Sequence, residues 1–579
     1  MTYSSRVMAP RHRLALALIG GLLAVRLLVV LVSPLELYAD EAQYWRWGQT
    51  LDWGYYSKPP MIAWVIRSST SLFGDSEAAI RLLAPVLHSL AAGMLYLLSR
   101  QMFGVRAGLI TLVAYLLMPG IVLSSTIIST DGVLFPFWCA ALYLFWQLRE
   151  GRAGWGQTLA LGAAIGFGFL SKYAILYFGI GIALTALIDA PTRRAVISPK
   201  GAGVLAMALL ILTPHIIWNI ANAFETVGHT VDNASLGGDL FNLENIPKYI
   251  GDQMGVFGPV SFIGLIAGLV FMRGGRADTV ATRENWLACF IVPVLVIILF
   301  QSVLSRAHAN WAATAYPAAC VLIGSVFVRA NPSQRLWVIV AVITAAALQV
   351  VPEFTAPTRL IIGLCVAAAL LAAGYLSNWR PAGLFWSGIG LHLALTAVMA
   401  TLMLGPASWT GALGLDNSFK RTRGWQDLAN QLALEAERRR PSAILVDERE
   451  IWHGIDYYAR GRLPAPLILW RGGGAAKSFA EKVPLTDAID DQVLIASYRP
   501  NYRPIIAAEF GQFTASGRIG VDLGFRSNGC PLVRELRLYT ASDYAQLTLK
   551  ERAARKFNGK TLDARPPCPP LAGDTTSNE

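Results

Sequence analysis

Between Leu14 and Leu404 the chain returns repeatedly to apolar runs of roughly 20 residues, the length that crosses a ~30 Å hydrocarbon core. No other feature constrains the fold as strongly. Divided at charged residues and at Pro or Gly breaks, these runs predict about thirteen helices. They start near Leu14, Ile80, Ala107, Gly132, Trp155, Tyr173, Gly201, Val256, Asn285, Trp311, Leu336, Leu360 and Leu384. Only 15% of the 579 residues are charged, well below the roughly 25% of soluble domains. After Gly405 and Pro406 the character changes to ordinary soluble composition, with no further spanning run. The expected organisation is mostly α: a polytopic transmembrane bundle over 1–404, then a small α/β extracytoplasmic domain over 405–579. In that domain the pattern predicts a helix over Trp425–Arg439 and strands over Ala443–Val446 and Val493–Ala496.

The formal charge of +12 lies in short clusters between apolar runs rather than along one face, which excludes a nucleic-acid surface. Topology accounts for it. With the N-terminus cytoplasmic, the inner loops hold Arg100, Arg106, Arg149, Arg152, Arg193, Arg194, Lys200, Arg329 and Arg335, a positive-inside pattern. The opposite loops hold Asp40, Glu41, Asp52, Asp75, Asp131, Glu225 and Asp252, and an odd number of crossings puts 405–579 outside. The first run, Leu14–Val32, is long and lacks a small-residue cleavage site, so it reads as a retained helix. Cys139, Cys289, Cys320 and Cys365 lie in or beside apolar runs and no CxxC pair occurs, which excludes zinc-cluster and thioredoxin-like sites. Cys530 and Cys568 are the pair expected to bridge.

Chemistry-bearing residues gather in the loops of the expected outer side. Pro34–Glu77 and Ile220–Asp252 are long, and long loops build sites. The first carries adjacent acids, Asp40 and Glu41, just after a spanning helix, where charge at the membrane edge is costly and usually has a use. Solvating and capping the next helix would also account for them. Lys58 follows, before Pro59 and Pro60, a point charge suited to phosphate unless it merely snorkels. Asp131 sits at the mouth of a helix behind Ser129, where an N-cap is the plainer explanation, and Lys172 is a lone cation between two apolar runs. Trp218, Asn219, His229, His308 and Asn310 complete the set, although a lone histidine is more often structural than a ligand. Gly162 and Gly166, in GxxxG spacing, predict a close helix–helix contact.

The order and topology of these motifs resemble the GT-C membrane glycosyltransferases, above all the protein O-mannosyltransferases and the bacterial aminoarabinose and galacturonic-acid lipid A transferases. The resemblance spans Leu14 to Leu404 and rests on YADEAQYW, SKPP, STDGVLFPFW, FLSKYAILY, PHIIWN with FETVGH, and HANWAATAYP. It implies the GT-C fold, a sugar donor joined to polyprenyl phosphate, transfer with inversion, and a multi-pass protein of a bacterial inner membrane. The acceptor would be a hydroxyl or phosphate of a lipid A-type glycolipid or a protein. The family's acids fall on Asp40 and Asp131, and its donor-phosphate lysine on Lys58. Ser57 departs from the pattern, because aminoarabinose transferases place a metal-binding Glu before that lysine. A divalent metal is therefore not expected, with His229 and His308 left as candidate ligands.

The implied chemistry needs no metal. Polyprenyl phosphate is a stable anionic leaving group whose growing charge Lys58, Arg81 or Lys172 can neutralise, and Asp40 can take the acceptor's proton. Glu41 either orients the acceptor or a helix end; the two roles stay open. Trp218, Asn219, His229, His308 and Asn310 are the expected substrate-binding groups. A transporter or flippase of a lipid-linked substrate is the alternative; it predicts repeat symmetry and charges near the bilayer midplane, whereas these residues cluster at one side.

Orientation is testable by cysteine labelling of spheroplasts with an impermeant reagent. Ser57→Cys should label and Arg193→Cys should not; the reverse pattern would overturn the topology.

Overall fold

The computed structural model describes residues 10–228, 241–271, 279–305, 307–329, 333–348, 356–471, 479–481, 483–485, 492–526 and 530–554. The chain folds as two compact units, one formed by residues 1–33 and 52–401, the other by 34–51 and 402–579.

Every apolar run of the first unit falls on a helix. Among the described residues eight helices are long and apolar enough to cross a membrane, from His12–Val32 to Pro381–Leu404. A ninth is a pair, Asn245–Phe257 and Pro259–Val270, bent by 108°. The bend sits at Gly258, whose φ of +88° suits glycine and where a Cβ would lie 1.9 Å from His392 Nε2. The first helix exposes Leu14, Leu16, Val25, Leu28, Leu31 and Val32 along its length. In water that face would be an aggregation liability, whereas in lipid it is the solvated one.

Lipid removes the hydrophobic drive between helices, so packing and internal polar pairing must hold the bundle. Both are present. Helix Trp155–Ser171 lies against Pro199–Ala221 through Gly162 and Gly166; a Cβ at Gly162 would come 2.5 Å from Val204 O. Phe178, Trp286 and Phe290 form an aromatic core with centroids 4.9 Å and 4.8 Å apart for Phe178–Phe290 and Trp286–Phe290. At one end of the bundle Arg149 makes two bonds to Asp189, of 2.9 Å and 2.8 Å, and Arg329 pairs with buried Glu284. Buried charge is tolerated there because each group has its partner.

The second unit is an α/β fold. Its strands are β1 (Ala443–Val446), β2 (Leu467–Leu469), β3 (Val493–Ser497), β4 (Phe510–Phe525) and β5 (Pro531–Tyr544), in the order β2-β1-β3-β5-β4. β1 pairs in parallel with β2 and β3, and β5 is antiparallel to β3 and β4. The central strands β1 and β3 are buried throughout, which is why both read as short unbroken apolar runs. The helix Trp425–Arg439 has the bounds that the sequence predicts. Cys530 is disulfide-bonded; Cys568, the partner expected from the sequence, lies outside the described residues.

Residues 34–51 belong to this second unit, with helix Ala39–Gly48 packed on helix Arg449–Tyr458.

Candidate active site

Three residues singled out from separate motifs meet at one end of the first unit. Ser129 caps helix Thr130–Arg149 by accepting the Gly132 N–H at 3.2 Å, which leaves Asp131 in the first turn, where the helix dipole favours an anion. Helix Trp155–Ser171 ends at Lys172, whose extended backbone (φ −163°, ψ 137°) turns the chain out of the helix. Its ammonium reaches Asp131 Oδ1 at 2.6 Å. The second carboxylate oxygen accepts Asn310 Nδ2 at 2.8 Å. Asn310 stands on a 3-10 turn, Ala309–Ala315, itself held by Gln253 Nε2 donating to Ala309 O at 3.2 Å.

Asp131 is 7% exposed and Lys172 half-buried, while Asn310 is open to the exterior of the unit. The acid is thus fully committed, and the cation is aimed but still reachable. Ser129 supplies the N-cap of this corner, and Asp131 pairs with Lys172.

Lys58 sits on a loop that the rest of the unit clamps. The Tyr55 N–H donates to Lys58 O at 3.2 Å, closing a turn before Pro59, Pro60 and helix Met61–Phe73. Thr226 Oγ1 donates to Tyr55 O at 2.6 Å, and Trp64 Nε1 to Asp52 O at 3.0 Å. Gly54 lies against the face of Trp218, where a Cβ would be 2.3 Å from Trp218 Cε3. His215 joins the loop to the helix that follows Lys172: its Nδ1 is 2.6 Å from Trp53 O and its Nε2 2.9 Å from Tyr173 Oη. Asn219 Nδ2 donates to His215 O at 3.0 Å. Trp218 and Asn219 therefore contact the protein's own Lys58 loop and its anchor.

His215 escaped the sequence reading. Its one signal is spacing, since His215, Trp218 and Asn219 at i, i+3 and i+4 share a helix face. Arg81 is 2% exposed, at the end of the short helix Glu77–Arg81. His308 is exposed and presents its ring edge-on to Trp311 at 5.2 Å. His229 lies outside the described residues. Among the described residues no three of His, Cys, Asp and Glu gather so as to hold a metal ion, and Ser57 is a poor ligand.

In the second unit, Glu41 is 1% exposed and its Oε2 accepts the Tyr38 N–H at 3.0 Å, so it fixes the first turn of helix Ala39–Gly48. Asp40, its neighbour, is exposed.

Comparison with solved structures decides the fold. The aminoarabinose transferase ArnT of Cupriavidus metallidurans in the apo state superposes with a TM-score of 0.60 over 92% of this chain and 99% of that one, at 18% identity. The chain shares the fold of that transferase. The family pattern of dolichyl-phosphate-mannose-protein mannosyltransferases matches residues 57–218 of this chain, the stretch holding Lys58, Asp131 and Lys172. Lipid A galacturonosyltransferase RgtD of Rhizobium johnstonii is 37% identical over 316 residues, covering 54% of this chain and 65% of that protein. An undecaprenyl phosphate-alpha-4-amino-4-deoxy-L-arabinose arabinosyl transferase of Edwardsiella ictaluri is 26% identical over 242 residues, 40% of this chain and 41% of that one. The chain thus spans less than two thirds of the length of these curated relatives.

Removing one member of the ion pair should expose its role. Lys172→Ala leaves Asp131 uncompensated and should destabilise the protein, by up to about 3–5 kcal/mol for a fully buried pair and less at this half-buried one. Adding Asp131→Ala should restore the thermal midpoint in detergent. A single Lys172→Ala variant as stable as wild type would show that the pair contributes nothing to the fold.

Proposed function

We propose that this chain is a polyprenyl-phosphate-sugar-dependent glycosyltransferase of a bacterial inner membrane, moving a sugar with inversion onto a lipid A or lipopolysaccharide-type glycolipid on the periplasmic side. The observation that carries the reading is the Lys172–Asp131–Asn310 arrangement, connected through Tyr173, His215 and Trp53 to the loop of Lys58.

Two ammonium groups on one braced framework suit a phosphate leaving group. As the bond between the anomeric carbon and the phosphate oxygen breaks, its electron pair goes to the phosphate, and positioned cations stabilise that charge. Asp131 orients Lys172. The acceptor oxygen attacks from the opposite face, which inverts the centre, and gives its proton to Asp40. Asp40 suits that task better than Asp131, because it is exposed while Asp131 is occupied on both oxygens. The donor class is supported by a second ArnT structure of the same fold, bound to undecaprenyl phosphate (TM-score 0.58). The 37% identity to a lipid A galacturonosyltransferase favours a hexuronic acid as the sugar and lipid A as the acceptor.

Mass spectrometry of envelope glycolipids from cells with and without the gene tests this reading. The lipid A fraction should lose a hexuronic acid residue, regained with the wild-type gene but not with Lys58→Ala. Asp40→Asn should restore transfer only at a rate lower by about 10²–10⁴. A lipid A profile identical in both strains would overturn the proposal, and a sugar missing from an envelope protein instead would overturn the acceptor.

A further inference from the structure

The sequence assigns no task to the C-terminal domain, and no motif in it suggests chemistry. Its packing does. Helix Ala39–Gly48 has only ten residues, too few to hold together in isolation, and seven of them are buried. Helix Arg449–Tyr458 of the same unit packs along it.

The approach to this helix is held by hydrogen bonds from distant parts of the domain. The Glu36 carboxylate accepts the first two N–H groups of helix Trp425–Arg439, from Trp425 at 2.6 Å and Gln426 at 3.1 Å, where the helix dipole also favours it. The Glu36 N–H donates to Thr422 O at 3.1 Å, and the Leu37 N–H to the Tyr458 hydroxyl at 2.7 Å. The far end is held by Trp45 edge-on to Tyr457 at 5.0 Å and by Arg46 facing Asp456 at 3.6 Å. Trp425 is itself immobilised, with the Arg534 guanidinium 3.6 Å over its ring and Gly454 against its face. Burial pushes the Glu36 carboxyl above its usual range, against the two N–H bonds that favour its charged form. What remains turned outward is Asp40.

We infer that the C-terminal domain is the platform that presents Asp40, with Glu36 and Tyr458 as positioning residues for proton abstraction; this rests on Asp40 being the base of the proposed transfer. A platform acts on the orientation of the base and leaves donor binding alone. Misplacement of a reacting group by about 1 Å costs on the order of 10²-fold in rate.

The test uses the full-length protein in nanodiscs, a polyprenyl-phosphate-linked hexuronic acid and lipid A, comparing wild type, Tyr458→Phe, Glu36→Ala and Asp40→Asn. Tyr458→Phe removes one hydrogen bond without unfolding risk and should lower kcat roughly tenfold with the donor KM unchanged. Glu36→Ala should lower it on the order of 10²-fold and speed amide exchange in residues 39–48 while leaving exchange in β1 and β3 unchanged. Wild-type kcat in both variants, with Asp40→Asn inactive, would overturn the platform and leave the base assigned. A fully active Asp40→Asn would overturn the base assignment and the platform role together. Absence of transfer by wild type would reject the proposed reaction itself, and unchanged amide exchange in Glu36→Ala would still overturn the platform.

Discussion

The pairing of Asp131 with Lys172 is the interaction on which the site depends. A carboxylate at the edge of a lipid-facing bundle is expensive unless a cation answers it, and a lone ammonium is equally costly. Joined at 2.6 Å, they let three elements of the first unit converge: the start of helix Thr130–Arg149, the end of helix Trp155–Ser171 and the turn that carries Asn310. The same constraint explains the opposite end, where Arg149 and Asp189 pair. Once the charges of the bundle are paired within it, the backbone is free to be helical and the outward faces to be apolar. The place of Lys58 is set by its loop, where the Tyr55 N–H donates to Lys58 O.

The second unit applies a different logic. Its central strands are buried on both faces, and its helices supply a surface on which residues 34–51 settle. That segment is connected in the chain to the first spanning helix on one side and to the Lys58 loop on the other. Asp40 thus takes its order from the second unit, while Lys58 and Lys172 take theirs from the first.

Much of this was legible before any coordinates. The apolar runs fall on helices, eight of them among the described residues long and apolar enough to cross a membrane, because lipid leaves an apolar run of that length little alternative, and β1 and β3 were visible as unbroken apolar runs. Asp131, Lys172 and Asn310 stood out singly as polar groups at the ends of apolar runs. Their meeting did not, because 41 and 179 residues separate the partners and nothing local encodes such a contact. His215 was hidden because a histidine within an apolar helix looks structural until the loop it anchors is seen. The attachment of Glu36 to Trp425, 389 residues away, leaves no periodic trace either. The long hairpin of β4 and β5 was missed because glycines and charges interrupt its alternation.

The most direct test of a single displacement from polyprenyl phosphate is stereochemical. Purified protein given a polyprenyl-phosphate-linked hexuronic acid of known anomeric configuration and lipid A should release one polyprenyl phosphate per sugar transferred. The product's anomeric centre, read by NMR, should have the opposite configuration to the donor's. Retained configuration, or transfer from a nucleotide sugar and none from the lipid-linked donor, would contradict the account.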